Sequence, residues 1–155
     1  MIEIERKFLV KDLSFKSEAV KNTKIVQGFI SDDPERTVRI RVKGNQGFIT
    51  IKGKSNKSGT SRFEWEKEIS LSEAEALLQL CKKGVIDKVR YEIPIENVVY
   101  EVDEFFGDNK GLIVAEVELK EENQVFAKPN WLGEEVTGQI KYYNSQLSNK
   151  PFNSW

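Results

Sequence analysis

The chain opens with MIEIERKFLV (residues 1–10), the stretch that decides how the rest of the sequence folds. A β-strand points successive side chains to opposite faces. One face of this strand carries Glu3, Glu5 and Lys7, and the other face is apolar apart from Arg6. The charged face either meets water on the outside of the fold or points into a polar interior.

The composition limits the chemistry. The 155 residues, 24 of them basic and 25 acidic, predict a single domain over 1–155 with a net charge of −1. No overall charge favours nucleic acid or an acidic membrane surface. Without histidine, His-ligated zinc and His-based acid–base catalysis are excluded. The lone Cys81 and the absence of a signal-peptide pattern or a long apolar run predict a cytoplasmic protein without membrane spans.

Alternating apolar and polar residues predict a mostly antiparallel strand protein. The predicted strands cover 2–10, 24–30, 36–44, 47–53, 61–70, 85–93, 97–106 and 111–119. One helix is predicted from a capping box of Ser72 and Glu75 to a stop at Gly84, with Cys81 in its core face. A second helix is predicted over about 133–147. The expected fold is α+β: an antiparallel eight-stranded β-barrel, or tunnel, with helices packed outside and a C-terminal helix.

The charges are sorted by strand. Basic pairs such as Arg39 and Arg41 share one face, and acidic pairs such as Glu116 and Glu118 share another, always opposite aliphatic or aromatic residues. Any single strand is typical of a solvated exterior. Taken together, the like-charged faces favour a polar interior, where clustered carboxylates require a cation.

A barrel with acids and bases on different walls suits one kind of ligand. Arginine and lysine would bind a small polyanion, while carboxylates would hold hard divalent cations, Mg²⁺ or Mn²⁺. This combination is typical of phosphoryl transfer, in which positioning and charge stabilisation supply most of the catalysis.

The motifs resemble those of the CYTH, or triphosphate tunnel metalloenzyme, family. Glu3-Ile4-Glu5-Arg6-Lys7 matches its ExExK signature. Further similar elements follow in the family's order: VQGFI, VRIRVKG, TIKGKS, SRFEWEKEIS, DKVRY, EVDEFFG, GLIVAEVEL and WLGEEVTGQIKYYNSQLS. The resemblance covers almost the whole chain. It implies an antiparallel β-tunnel that hydrolyses or cyclises triphosphates with two Mg²⁺ or Mn²⁺ ions.

The resemblance also implies roles for individual residues. The implied metal ligands are Glu3, Glu5, Asp103, Glu116 and Glu118, with Glu64 and Glu66 assisting. The implied phosphate-binding residues are Lys7, Arg39, Arg41, Lys52 and Arg90, with Arg62, Lys88 and, from the C-terminal helix, Lys141 as additions. Glu5 and Lys7 would stand at the reaction centre, and Glu68 and Glu101 would be peripheral.

Phe29 departs from the family pattern. Short bacterial members often carry tyrosine after Gln-Gly, whereas phenylalanine cannot donate or accept a proton. In the favoured interpretation, Phe29 simply packs in the tunnel wall and a metal-activated water suffices for the reaction. The alternatives are that another base, such as Lys7, takes the part of the tyrosine, or that activity is reduced.

Three functions remain open. The leading hypothesis is metal-dependent hydrolysis of inorganic triphosphate to diphosphate and phosphate. The alternatives are a nucleoside or thiamine triphosphatase or adenylate cyclase on the same fold, and a non-catalytic polyphosphate- or nucleotide-binding module. The expected partner is a small polyanionic substrate, with no nucleic acid or membrane, and both a monomer and a homodimer are compatible with the sequence.

Overall fold

A computed structural model describes all 155 residues and confirms the predicted closed antiparallel barrel. The strands are β1 Ile2–Val10, β2 Lys21–Ser31, β3 Arg36–Lys43, β4 Gln46–Gly53, β5 Ser61–Ile69, β6 Ile86–Ile95, β7 Val98–Phe105, β8 Ile113–Glu118 and β9 Leu132–Glu135. The helices are α1 Phe15–Glu18, α2 Leu71–Leu78 and α3 Asn144–Leu147. The sheet runs β5-β4-β3-β2-β6-β7-β8-β1, and β5 closes the barrel onto β1.

Strand β1 forms the closure. Its first residues pair with β5, with Glu3 opposite Arg62, and its middle pairs with β8, with Lys7 opposite Glu116. The short ninth strand, which the sequence did not predict, adds to the end of β1 near Phe8. Because side chains alternate along each strand, this register sends the charged face of β1 into the barrel and leaves its apolar face outside.

Apolar residues form two clusters on different parts of the barrel. The outer cluster packs Phe15 of α1 and Trp131, which directly precedes β9, against Phe8 and its apolar neighbours on the sheet. The second cluster closes one end of the barrel, where Phe29 and Phe105 meet Leu147 and other residues of the C-terminal segment. The barrel interior is therefore apolar at one end and charged beyond it.

Helix α2 packs against β3 and β4 on the outside of the barrel. Its capping box is formed by Ser70 and Glu73, two residues before the predicted pair. The helix also ends at Leu78 rather than continuing to Gly84. Ala74 is fully buried against the sheet, and Cys81 is half-buried just beyond the helix.

The predicted C-terminal helix over 133–147 is wrong. The structure has β9, then a 3-10 turn over Ile140–Tyr142, and then the single turn of α3. Gly138 lies between them with φ +78°, in the left-handed region that an α-helix cannot accommodate. The backbone also passes close to Gly59, where an added Cβ would lie 2.4 Å from the Cα of Gly138.

The helices are short, and none is long and apolar enough to cross a membrane.

Candidate active site

The barrel interior gathers the charged strand faces into one site. Fifteen of the sixteen sequence-predicted residues lie in or beside it: Glu3, Glu5, Lys7, Phe29, Arg39, Arg41, Lys52, Arg62, Glu64, Glu66, Lys88, Arg90, Asp103, Glu116 and Glu118. The choice between a solvated exterior and a polar interior is thus decided in favour of the interior.

The half of the interior nearest the C-terminal segment is predominantly basic. Its cavity is lined by two carboxylates and six cationic side chains, the latter being Lys7, Arg39, Lys52, Arg62, Lys88 and Arg90. Phe29, Thr37 and the C-terminal residues Tyr143, Asn144 and Ser145 complete the wall. We call this space the basic cavity. Its charge favours an anion with several negative groups.

The other half of the interior is predominantly acidic. It is lined by the seven carboxylates of Glu3, Glu5, Glu64, Glu66, Glu101, Glu116 and Glu118 and by the five bases Arg39, Arg41, Lys43, Lys52 and Arg90. We call this space the acidic cavity. The two cavities share Glu5, Arg39, Lys52, Arg90 and Glu116, so they meet in the middle of the barrel. Glu118 is exposed and marks the open mouth.

Lys7 and Glu116 face each other where the two cavities meet. Their Nζ and Oε1 atoms are 3.5 Å apart. Burial disfavours both charges, but Lys7, Arg90 and Lys88 outweigh this effect and hold the pKa of Glu116 well below its usual range. For Lys7, burial is likewise opposed by Glu116 and Glu5, and the pKa ends above its ordinary value. Both groups are therefore charged near neutral pH.

For Glu5, the charges of Lys52 and Lys7 compensate only in part. Glu5 takes part in none of the ion pairs, although the paired carboxylates of Glu3 and Glu116 are close enough to act on its charge. Burial and the neighbouring charges of Glu116 and Glu3 raise the pKa of Glu5 to about 8. A cation bound beside Glu5 would relieve this repulsion and restore the ionised form.

Several basic groups have spare hydrogen-bonding capacity. The Nη2 atoms of Arg39 and Arg41 each lie 3.3 Å from Oε2 of Glu66, which also accepts a hydrogen bond from the hydroxyl of Thr50. The Nε–H groups of both arginines are buried without a partner. A buried donor without an acceptor is costly.

Asp103 occupies a different position from the other predicted metal ligands. It is fully buried and receives two hydrogen bonds from Arg90, at 2.8 and 2.9 Å, and an ion pair from Lys88 at 2.8 Å. It does not line either cavity. In this arrangement Asp103 fixes two phosphate-binding candidates, and it could hold a metal only if Arg90 or Lys88 moved away.

Lys88 is the most buried base of the site, with 1% of its surface exposed. Burial lowers its pKa to about 8, with Asp103 opposing that shift and Arg90 adding to it. A fraction of Lys88 is therefore neutral under mildly alkaline conditions, unlike ordinary lysines.

Two placements differ from the sequence-based expectation. Lys141 is exposed on the outer side of the C-terminal segment, with its Nζ 4.6 Å from the ring centre of Trp155. It does not reach the barrel, because the predicted helix that would have carried it inward does not form. Glu101, expected to be peripheral, lines the acidic cavity and lies 3.3 Å from Arg90. Glu68 is exposed, as expected.

Residues outside the charged motifs also reach the site. The ring of Tyr143 lies 5.2 Å from Lys7 Nζ and 5.6 Å from Arg62 Cζ, and Asn144 accepts hydrogen bonds from Gln27 and Lys88. The 54–60 loop adds Gly59 and Thr60 to a side opening near Glu3. Strand periodicity could not find Tyr143 and Asn144, because they come from a segment with no regular repeat.

The carboxylate oxygens of the barrel interior are chemically suited to bind a hard divalent cation. Carboxylate oxygens are the ligands that Mg²⁺ and Mn²⁺ prefer, and Glu5 lacks a cationic partner. No three acidic or cysteine side chains are arranged as a preformed metal site. Several of these carboxylates are instead occupied by bases: Lys52 Nζ, for example, lies 3.0 Å from Glu3 and 3.2 Å from Glu64.

The chain is thus an antiparallel β-barrel protein with acids and bases on its inner walls. The family model for the CYTH domain matches residues 1–149, and the chain therefore belongs to the CYTH family.

Two relatives are similar over nearly their whole length. The chain is 47% identical over 154 residues to an inorganic triphosphatase of Acetivibrio thermocellus, covering 99% of this chain and 97% of that protein. It is 33% identical over 153 residues to an inorganic triphosphatase of Nitrosomonas europaea, covering 96% and 97%.

Solved structures agree on the fold. A crystal structure of an inorganic triphosphatase matches with a TM-score of 0.67 at 30% identity, covering 94% of this chain and 93% of that one. A Hippeastrum protein described as a putative adenylyl cyclase with a dominant triphosphatase activity matches with a TM-score of 0.60, over 77% of this chain and 80% of that one. At 15% identity, this second likeness shows the fold alone.

Proposed function

We propose that this protein hydrolyses inorganic triphosphate to diphosphate and phosphate inside the barrel. The observation that carries the proposal is the basic cavity, where six cationic side chains converge next to a wall of carboxylates. The names of the two relatives, both inorganic triphosphatases, support it.

The substrate would be held by the bases that line both cavities. Arginine binds phosphate oxygens in a bidentate fashion, and the buried Nε–H groups of Arg39 and Arg41 lack acceptors that phosphate oxygens would supply. Lys52 and Arg90 line both cavities, so they can contact a chain of phosphates that passes between the two. Lys7 lies at the same junction.

We further propose that the enzyme requires Mg²⁺ or Mn²⁺, with two ions held by the carboxylates of Glu3, Glu5, Glu116 and Glu118 and assisted by Glu64 and Glu66. Bound there, the ions would neutralise phosphate charge and lower the pKa of water. For Lys52 to release Glu3 and Glu64, its ammonium would turn to the incoming substrate.

The residues of the chain supply positioning and charge. Lys7, Lys88 and Arg90 line the basic cavity, and they would stabilise the charge that builds up on the leaving diphosphate. The ionised Glu116 keeps Lys7 charged and oriented. Phe29 is buried in the wall and has no group that transfers a proton.

Phosphate release by the purified protein from inorganic triphosphate, ATP and thiamine triphosphate, with Mg²⁺ or Mn²⁺ and with chelator, tests the proposal. A metal-dependent rate that is much higher on inorganic triphosphate would support it. Equal or higher release from ATP or thiamine triphosphate would instead favour a different triphosphatase. Tight binding of triphosphate without turnover would favour a binding module.

A matched pair of variants shows whether the barrel interior is responsible. Lys7→Met removes a charge at the junction of the cavities, whereas Lys141→Met removes one on the outer surface. We expect Lys7→Met to lose about a hundredfold or more in kcat/KM and Lys141→Met to stay near wild type. Equal losses in both variants would contradict the assignment of the site.

A further inference from the structure

The C-terminal segment contributes a polar contact inside the barrel that neither the motifs nor the comparisons assign. The Oδ1 atom of Asn144 accepts two hydrogen bonds, one from Gln27 Nε2 and one from Lys88 Nζ, each of 3.0 Å. Asn144 is the first residue of α3 and lines the basic cavity. Its contact with Lys88 joins residues 56 positions apart in the chain.

The orientation of the Asn144 amide follows from its partners. An ammonium group can only donate, so the oxygen of Asn144 must face Lys88. Gln27 is fully buried on β2 and approaches the same oxygen from the barrel wall. The amide is therefore held from two sides through its oxygen. Its Nδ2 group makes no hydrogen bond within the protein and is left for a ligand in the cavity.

Besides Asn144, the ammonium group of Lys88 has one polar partner. Asp103 binds its ammonium at 2.8 Å from one side, and the ring of Phe105 lies 5.4 Å away. Without Asn144, the flexible lysine stem could pivot about Asp103 and carry the charge away from the cavity. A fixed second acceptor holds the ammonium between the buried wall and the space for the substrate.

The segment itself is anchored. Leu147 and Tyr142, on either side of Asn144, are buried in the apolar cluster that closes the barrel end. The position of Asn144 is thus set by core packing rather than by a mobile loop.

We propose that Asn144 is a positioning residue for the reaction, which orients Lys88 toward the phosphate chain and makes the C-terminal segment part of the active site. The inference rests on the proposed triphosphate hydrolysis. Its consequence is that the last turn of helix affects kcat although it carries none of the charged motifs.

Kinetics on inorganic triphosphate test the role. Asn144→Leu keeps the size of the side chain but removes the acceptor, and we expect kcat to fall roughly ten- to hundredfold with little change in KM. Asn144→Asp keeps an acceptor oxygen but adds a charge that repels phosphate, so kcat should stay within a few-fold of wild type while KM rises. Asn149→Leu is the control, since Asn149 lies in the same segment but binds Asp32 on the surface.

The result that would overturn the inference is a kcat in Asn144→Leu within twofold of wild type, or a loss equal to that of Asn149→Leu. Thermal unfolding of each variant shows whether the lost activity reflects lost protein: a drop in kcat that follows the folded fraction would also overturn it.

A second readout remains if the protein proves inactive on triphosphate. In ¹⁵N-lysine-labelled protein, the ammonium signal of Lys88, assigned with Lys88→Arg, reports its hydrogen bonds. We expect the signal to shift and broaden in Asn144→Leu but not in Asn149→Leu. An unchanged signal in Asn144→Leu would refute the positioning role, whereas absent turnover in the wild type would refute only the proposed function.

Discussion

Phe29 lies where the barrel interior changes from charged to apolar. It is 3% exposed, it lines the basic cavity, and it packs with Phe105 in the cluster that closes the barrel end. A side chain in this position shapes the cavity, but it has no proton to give or take. The absence of a hydroxyl group is therefore compatible with activity if the remaining charges suffice.

We expect Phe29→Leu to reduce phosphate release from triphosphate by much less than the ~100-fold typical of a lost general acid or base. The pH profile of kcat should keep its shape, because no titrating group is removed. Leu112→Ala is the packing control, since Leu112 belongs to the same cluster but does not line the basic cavity. A loss in Phe29→Leu far beyond that control would assign Phe29 a direct role.

Glu5 illustrates a conflict between stability and activity. Its carboxylate is held beside Glu3 and Glu116 without a cationic partner, and its pKa is raised to about 8. A carboxyl group with a raised pKa in the folded state binds a proton on folding, so its ionisation destabilises the fold as pH rises from about 4.5 toward 8.

Glu5→Gln should therefore raise the melting temperature of the metal-free protein at pH 7, by about 2–4 °C for each kcal/mol gained, and the gain should shrink toward pH 5. Phosphate release should fall sharply in the same variant. Differential scanning calorimetry with chelator across pH 5–8 measures the effect. A melting temperature at pH 7 equal to or below wild type would show that Glu5 is satisfied in the free protein.

The strands were predictable because burial imposes a period of two on them. Charged residues at every second position, such as Glu3, Glu5 and Lys7, already specified which side chains share the barrel interior. The C-terminal segment was not predictable in this way. Its path depends on Gly138 and on the contact with Gly59, and these long-range features leave no periodic signal. Consequently Lys141 was expected inside, and Tyr143 and Asn144 were missed.

The start of α2 shows a smaller error of the same origin. Ser70 and Ser72 both precede acidic residues at the capping-box spacing, and the local sequence allowed either choice. The structure uses Ser70 with Glu73, because β5 ends at Ile69 and delivers the chain to the cap there.

Ser70→Ala should therefore destabilise the protein by about 1 kcal/mol, since it leaves the backbone N–H of Glu73 without its acceptor. Ser72→Ala should have a smaller effect, within about 0.5 kcal/mol, because Ser72 is exposed and its hydroxyl contacts only that of Ser70, at 3.2 Å, and does not cap the backbone. Urea denaturation of both variants checks this difference. Phosphate release should be unchanged in each, because α2 packs outside the barrel; a larger loss of stability in Ser72→Ala would reverse the assignment.

The molecule as a whole places its charges inside a closed barrel and its apolar residues outside and at one end. Burying charge is costly unless each group is paired, and here the pairs are incomplete: Glu5 has no partner, and two arginines keep free Nε–H donors. The outer cluster around Trp131 and the end cluster around Leu147 bury apolar surface, and this burial offsets the free-energy cost of the charged interior. A ligand that completes the pairs should stabilise the whole fold.

Binding of triphosphate should therefore be visible in thermal unfolding. A ligand that binds only the folded state at 100 times its Kd adds about 2.7 kcal/mol, which for a chain of this size corresponds to a rise of about 5–10 °C in melting temperature. Adding Mg²⁺ or Mn²⁺ should increase the shift, and chelator should reverse that increase. Lys141→Met, which alters the outer surface, should retain the full shift, whereas Lys7→Met should lose most of it.

Orthophosphate at matched ionic strength distinguishes specific binding from screening. If orthophosphate produced the same shift in melting temperature, the interior charges would be responding to salt alone. A much larger shift with triphosphate requires several bases to be engaged at once, and the two cavities inside the barrel bring six and five of them together.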